Sequence, residues 1–222
     1  MKLLIIVGFA SPLILGFWII GRITYIFQCF RTTTFANEPT LKRGRIFFTS
    51  RLKKPALMRF LVYRTTIPET GLTTFIHRIC GMPGDTVEIR NGVLYVNGAD
   101  LDKNLNLKHV YKLTTKQVAD TAIDPAGTYT IPPYSDTLYV PLTDTAVRAN
   151  KWPFPRYVLP TGLRDNTIYS IFKKSWNPDN FGPLRVPAGK YFVLGDNRQQ
   201  SMDSRYQGFI DSTRFLGCVL WK

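Results

Sequence analysis

Apolar and polar residues alternate most regularly between Asp85 and Gly98. At the centre of that stretch, Asn91-Gly92 suits the left-handed conformations of a type I′ turn. Closing the chain about it pairs Ile89 with Leu94 and Val87 with Val96. Four apolar side chains then share one face, while Glu88 and Arg90 take the other. The pattern predicts a hairpin over 85–97. Shorter apolar runs predict strands near 45–50, 73–80, 190–195 and 214–221, the first of them ended by Lys53-Lys54-Pro55. Ala56 to Arg64 is short and mixed and yields no firm element, whereas Leu107 to Val118 reads as a helix. Turn signals at Asp124-Pro125-Ala126-Gly127 and Ile131-Pro132-Pro133 interrupt the middle of the chain, as do aromatic–proline pieces such as Trp152-Pro153-Phe154-Pro155.

The N-terminus follows a different pattern. Leu3 to Gly21 is apolar apart from Ser11 and Pro12, and about 19 residues of helix reach ~28 Å, close to the hydrocarbon thickness of a bilayer. Lys2 gives a short basic start, as in a cleaved signal peptide. The run nevertheless ends in Phe17-Trp18-Ile19-Ile20 with no small-x-small cleavage site after it. Trp18 and Tyr25 suit the interfacial belt. The reading is an uncleaved membrane anchor over residues 1–28. Lys2 on one side and Arg22 and Arg31 on the other leave its orientation undetermined by charge.

Near the C-terminus, Tyr191-Phe192-Val193-Leu194 leads into Gly195-Asp196-Asn197-Arg198-Gln199-Gln200-Ser201-Met202-Asp203-Ser204-Arg205. Two acids, two arginines, two serines and three amides in one loop exceed the needs of a turn. Such a loop either lies in water or forms a satisfied polar network. Composition narrows its chemistry. The formal charge of +14 comes from scattered residues, with no basic helix and no nucleic-acid-binding motif. With an anchor present, attraction to an anionic membrane surface accounts for it better. Three cysteines cannot build a disulfide framework. Cys80 and Cys218, both in apolar runs, read as buried free thiols, with a bridge between them open in an oxidising compartment. His77 and His109 lie near no cysteine pair, so neither a zinc site nor any other cofactor is expected.

A second stretch, Phe75-Ile76-His77-Arg78-Ile79-Cys80-Gly81-Met82-Pro83-Gly84-Asp85, completes a scheme. Gly-Asp-Asn-Arg-x-x-Ser-x-Asp-Ser-Arg and Arg-Ile-x-Gly-x-Pro-Gly-Asp together resemble the signature boxes of bacterial type I signal peptidases, membrane-bound serine proteases with a serine–lysine dyad. The resemblance covers the anchor, residues 36–98 and residues 177–222. It implies a mainly β fold of the signal-peptidase type after one N-terminal transmembrane helix. The core domain would comprise 29–98 and 177–222, with an inserted β-rich second domain at 99–176. It also implies a bacterial plasma-membrane location, with the N-terminus cytoplasmic and the main domain on the outer face.

The same resemblance assigns roles residue by residue. Ala36-Asn37-Glu38-Pro39-Thr40-Leu41 matches the box that begins with the catalytic serine, so Ala36 stands at the nucleophile position, and a methyl group cannot attack a carbonyl. Thr34 matches a hydroxyl residue that helps bind the oxyanion, and Phe35 replaces a small residue. His77 stands where the family has its lysine base. Histidine is a competent base near neutral pH, and a related branch of the superfamily pairs serine with histidine; alternatively His77 only fills the site. Ser201 matches the serine that orients the lysine. Arg78 is expected to pair with Asp196, and Asp203 with Arg205. Two readings follow. One is a non-catalytic subunit working with the protein-export translocon, an active signal peptidase or the signal peptides of preproteins. The other is an active signal peptidase with an unusual nucleophile and His77 as base.

Overall fold

The hairpin forms as the alternation dictates. In this computed structural model, which describes Gly16, Ile19 and residues 26–67, 71–121, 123, 129–130 and 136–221, β5 (Thr86–Arg90) pairs with β6 (Val93–Val96), with Val87 opposite Val96 and Ile89 opposite Leu94. Asn91 and Gly92 both have positive φ, the geometry of the predicted turn. All four apolar side chains are buried. With β7 (Ala99–Asp100) and β11 (Phe181–Arg185) the hairpin makes a four-stranded sheet in the order β11-β5-β6-β7.

A seven-stranded antiparallel sheet carries most of the remaining core. Its members are β1 (Phe27–Arg31), β2 (Ile46–Ser50), β3 (Phe60–Ile67), β4 (Gly71–Gly81), β12 (Lys190–Leu194), β13 (Ile210–Asp211) and β14 (Phe215–Trp221). They run in the order β1-β2-β14-β3-β4-β12-β13. The predicted strands near 45–50, 73–80, 190–195 and 214–221 are all present. β3 was not legible because Phe60, Leu61, Val62 and Tyr63 are all buried, so no polar face marks a period of two. Flanked by β14 and β4, it lies inside the sheet.

The helix expected over 107–118 is corrected to a strand followed by a helix. β8 (Lys108–Thr114) pairs with β10 (Thr137–Thr143) over seven positions, and β10 in turn pairs with β9 (Tyr129–Thr130). Only then does α1 (Thr115–Thr121) begin. A capping box sets that boundary: Gln117 donates its backbone N–H to the Thr114 hydroxyl, and the Gln117 side chain accepts from the Thr114 N–H. Two short helices follow, α2 (Asp144–Ala149) and α3 (Asn166–Phe172). Ile168 of α3 is fully buried in a cluster with Val87, Leu94, Phe181 and Phe192. Residues 99–176 therefore build a sheet of their own and also contribute to the core of the four-stranded sheet.

The chain is mainly β. Most of the expected anchor, including Trp18 and Tyr25, lies outside the described residues; Gly16 and Ile19 are helical, and among the described residues no helix is long and apolar enough to cross a membrane. Cys80 and Cys218 are buried free thiols that pack in different apolar clusters, so no bridge joins them.

Candidate active site

Two motifs far apart in sequence meet because β4 and β12 are neighbours, with Leu194 opposite Arg78. The Arg78 guanidinium donates from Nε to Asp196 Oδ1 (2.7 Å) and from Nη2 to Oδ2 (2.5 Å). It also donates to the Met58 carbonyl (2.8 Å) and lies over the Phe60 ring (4.2 Å). The Thr40 hydroxyl donates to the same carboxylate. Asp203 and Arg205 form a second two-pronged pair, at 2.9 and 2.8 Å, with both residues buried. Asp203 also accepts from the Gly195 N–H (3.1 Å). Burial works to raise the Asp203 carboxyl pKa, but the Arg205 charge and hydrogen bonds outweigh it and hold the group below the usual carboxylate range. Both pairs that the resemblance sets together are in contact.

A third pair belongs to this network and was missed. Arg198 donates twice to Asp102, each bond 2.6 Å, and Asp102 also accepts from the Leu94 N–H. Nothing in the sequence around Asp102 announces this role, since its partner is 96 residues away. The backbone closes the arrangement: Lys108 N–H donates to the Asp196 carbonyl, and Arg198 N–H to the Lys108 carbonyl. The start of β8 is thereby stitched to the polar loop.

Beside this network lies a cavity of about 440 Å³, lined among others by Thr34, Ala36, Phe75, Ile76, His77 and Met202. The structure thus brings three of the four candidate chemical positions to one space. Residues 34–40 run through bends and turns. Asn197 straps them to the loop, its N–H on the Ala36 carbonyl (3.0 Å) and its amide on that of Phe35 (3.3 Å). Asn37 ties them to β4 through the Ile76 carbonyl (2.7 Å). Gly195 has to be glycine here, because a Cβ would collide with both the Ala36 carbonyl and Ser201 Oγ. Ser201, the fourth candidate, is buried against this strap, and its Oγ has no hydrogen-bond partner.

His77 has a partner that sequence reasoning did not find. Tyr63 on β3 places its hydroxyl 2.9 Å from His77 Nδ1. Leu61 faces His77 across the β3–β4 pair and Tyr63 faces Phe75, so the contact is diagonal. The Phe75 ring stacks with both Tyr63 and His77, at 5.8 Å between centroids in each case. Without β3 assigned, that diagonal could not be drawn. Burial lowers the His77 pKa to about 4, with the nearby Asp203 carboxylate opposing the shift, so the ring is neutral at pH 7. Among the described residues no group of three or more His, Cys, Asp or Glu side chains could hold a metal ion.

The buried pairs fasten β4 to the polar loop beside one partly apolar groove. The chain belongs to the signal peptidase family, peptidase S26, whose model matches residues 4–221. Signal peptidase I S of Bacillus subtilis (strain 168) is 30% identical over 131 residues, which is 59% of this chain and 41% of that protein. Signal peptidase I P of Bacillus subtilis subsp. natto is 25% identical over 199 residues, 85% of this chain and 77% of the relative. Signal peptidase IB of Staphylococcus aureus (strain Mu50) is 28% identical over 200 residues, 83% and 71% respectively. A crystal structure of a signal peptidase I from Enterococcus faecalis V583 aligns at 25% identity over 75% of this chain and 97% of its own, with a TM-score of 0.37.

Proposed function

We propose that this chain is a signal peptidase relative that binds extended peptides without cutting them. Its workplace is the bacterial plasma membrane, held by the apolar run over residues 3–21, with the N-terminus cytoplasmic and the β domains outside. That run lies ahead of β1, which already takes Phe27 and Gln28 into the sheet. Its partners are signal peptides of preproteins, the export translocon or an active signal peptidase. One observation carries the reading: the wall of the groove at the nucleophile position is the methyl group of Ala36. Two further features support it. His77 Nδ1 is already engaged by Tyr63, and the Ser201 hydroxyl, which would serve a lysine ammonium at position 77, has no partner. Covalent peptide hydrolysis needs a nucleophile and a base within hydrogen-bond reach. Loss of the nucleophile of a serine protease costs about 10⁶-fold in turnover. A groove beside a strand keeps its capacity for peptide, because strand addition relies on backbone hydrogen bonds.

The rival reading is an active enzyme, and it has a specific foothold: Thr34 lines the same cavity as His77. Purified full-length chain in detergent, offered a preprotein, separates the two. The expected outcome is no cleavage by the natural chain or by Ala36→Ser, and measurable cleavage by Ala36→Ser combined with His77→Lys. Cleavage by the natural chain that disappears in Thr34→Ala would establish the rival. Recovery of the chain alone after mild-detergent purification at native expression would remove the proposed export partners.

A further inference from the structure

His77 occupies the base position, yet its surroundings suit the opposite task. A neutral imidazole carries one proton, so one ring nitrogen donates and the other accepts. The Tyr63 side chain is wholly buried, and its hydroxyl proton needs an acceptor; the acceptor at hand is His77 Nδ1, at 2.9 Å. The buried phenol therefore donates, and Nδ1 accepts. In the reverse arrangement Nδ1–H would point at the phenol oxygen, and the phenol proton would be buried without an acceptor. Leaving a buried polar group unpaired costs more than a hydrogen bond gains. Phe75, stacked on both rings, keeps the imidazole from turning over.

We propose that Tyr63 fixes His77 as the tautomer protonated on Nε2, so that the base position offers a hydrogen-bond donor to a carbonyl oxygen of a bound peptide. The proposal rests on the peptide-binding reading above and sharpens it. With Nδ1 occupied, Nε2 is the nitrogen His77 has left for the cavity it lines. The neighbouring walls combine apolar Phe30, Phe47, Val62, Phe75 and Ile76 with the polar Thr32, Thr73, Thr74 and Gln200. The matching ligand is an extended peptide, whose backbone carbonyls are acceptors that every sequence carries. Tyr63 is thus a positioning residue and His77 a recognition residue. The near-neutral medium outside the membrane does not charge the ring, because burial keeps its pKa near 4.

Long-range ¹H–¹⁵N correlation spectra of the full chain in detergent, labelled at histidine, read the tautomer directly. His77→Gln assigns the signals against those of His109. The expected spectrum has a pyridine-like Nδ1 and a pyrrole-like Nε2 for His77, and the other tautomer gains population in Tyr63→Phe. A pyrrole-like Nδ1 in the natural chain, or an unchanged tautomer in Tyr63→Phe, overturns the relay. Binding is then measured with a fluorescent, end-blocked peptide of alanine and valine. His77→Leu is expected to weaken it up to about tenfold, the worth of one neutral hydrogen bond. His77→Gln, which keeps an N–H donor at similar reach, is expected to retain most of the affinity. Equal affinity in His77→Leu and the natural chain overturns the donor role. If the peptide binds no form of the chain, the peptide-binding reading falls and takes the carbonyl acceptor with it, while the spectrum still decides the tautomer alone.

Discussion

The polar loop and the groove beside it meet at the neighbouring residues His77 and Arg78, yet the charged and uncharged groups along that seam differ in how they are satisfied. In the loop, Arg78, Arg198 and Arg205 each meet a carboxylate with two hydrogen bonds. Where the loop meets the turns at 34–40, the uncharged Ser201 Oγ and Asn37 Oδ1 are buried with no partner, as is Arg198 Nε within the loop. Buried ionic groups survive only where every charge is answered, because an unpaired one costs several kcal/mol. A site for chemistry can lose members without unfolding the domain. The contrast sets a complete set of ion pairs beside uncharged groups left unanswered, which is what the proposed non-catalytic reading expects.

The largest blow to the comparison would fall on the loop. Arg205→Leu leaves the Asp203 carboxylate buried without its partner, and a loss of about 3–5 kcal/mol is expected on chemical denaturation. If the variant were nearly as stable as the natural chain, the network would not be the fastening described here.

Acid should reveal the groove before the loop. The unfolded imidazole takes up its proton near pH 6.5, whereas buried His77 stays neutral down to about pH 4. Its contribution is complete above pH 6.5 and is lost as pH falls toward 4, about 3 kcal/mol for a gap of that size. His109, whose pKa burial also lowers despite its bond to Asp144, adds to the slope in the same direction. Asp203 is held below the ordinary carboxylate range and titrates later. Denaturation midpoints from pH 7 to pH 4 should show this slope, reduced in His77→Gln. An unchanged slope in that variant would mean that His77 is not the buried neutral group described.

The smallest effect is expected at Ser201. Removing a hydroxyl that has no partner should leave stability unchanged or raise it by up to about 1 kcal/mol. A clear loss in Ser201→Ala would show that the hydroxyl is satisfied in solution and that the contrast with the loop is weaker.

Local sequence determined the parts of this protein whose partners are near in the chain. Alternation about Asn91-Gly92 is enough to write the hairpin and its register, because a two-residue turn leaves one way to pair the apolar positions. The two boxes were legible by their resemblance, and that alone assigned Ala36, His77 and Ser201 their positions. Tertiary structure decided what lies across the sheet or beyond the insert. Asp102 answers Arg198 because the start of β8 lies against the polar loop and β7 is the edge strand beside β6. Tyr63 reaches His77 because β3 is buried on both faces, and a uniform apolar run hides both its strand period and its neighbours. The strand at 108–114 likewise exists through its pairing with β10, which overrides the helical reading that its own sequence invites. Charges and ring nitrogens take their meaning from the atoms a few ångströms away, and those atoms come from segments that only folding brings near.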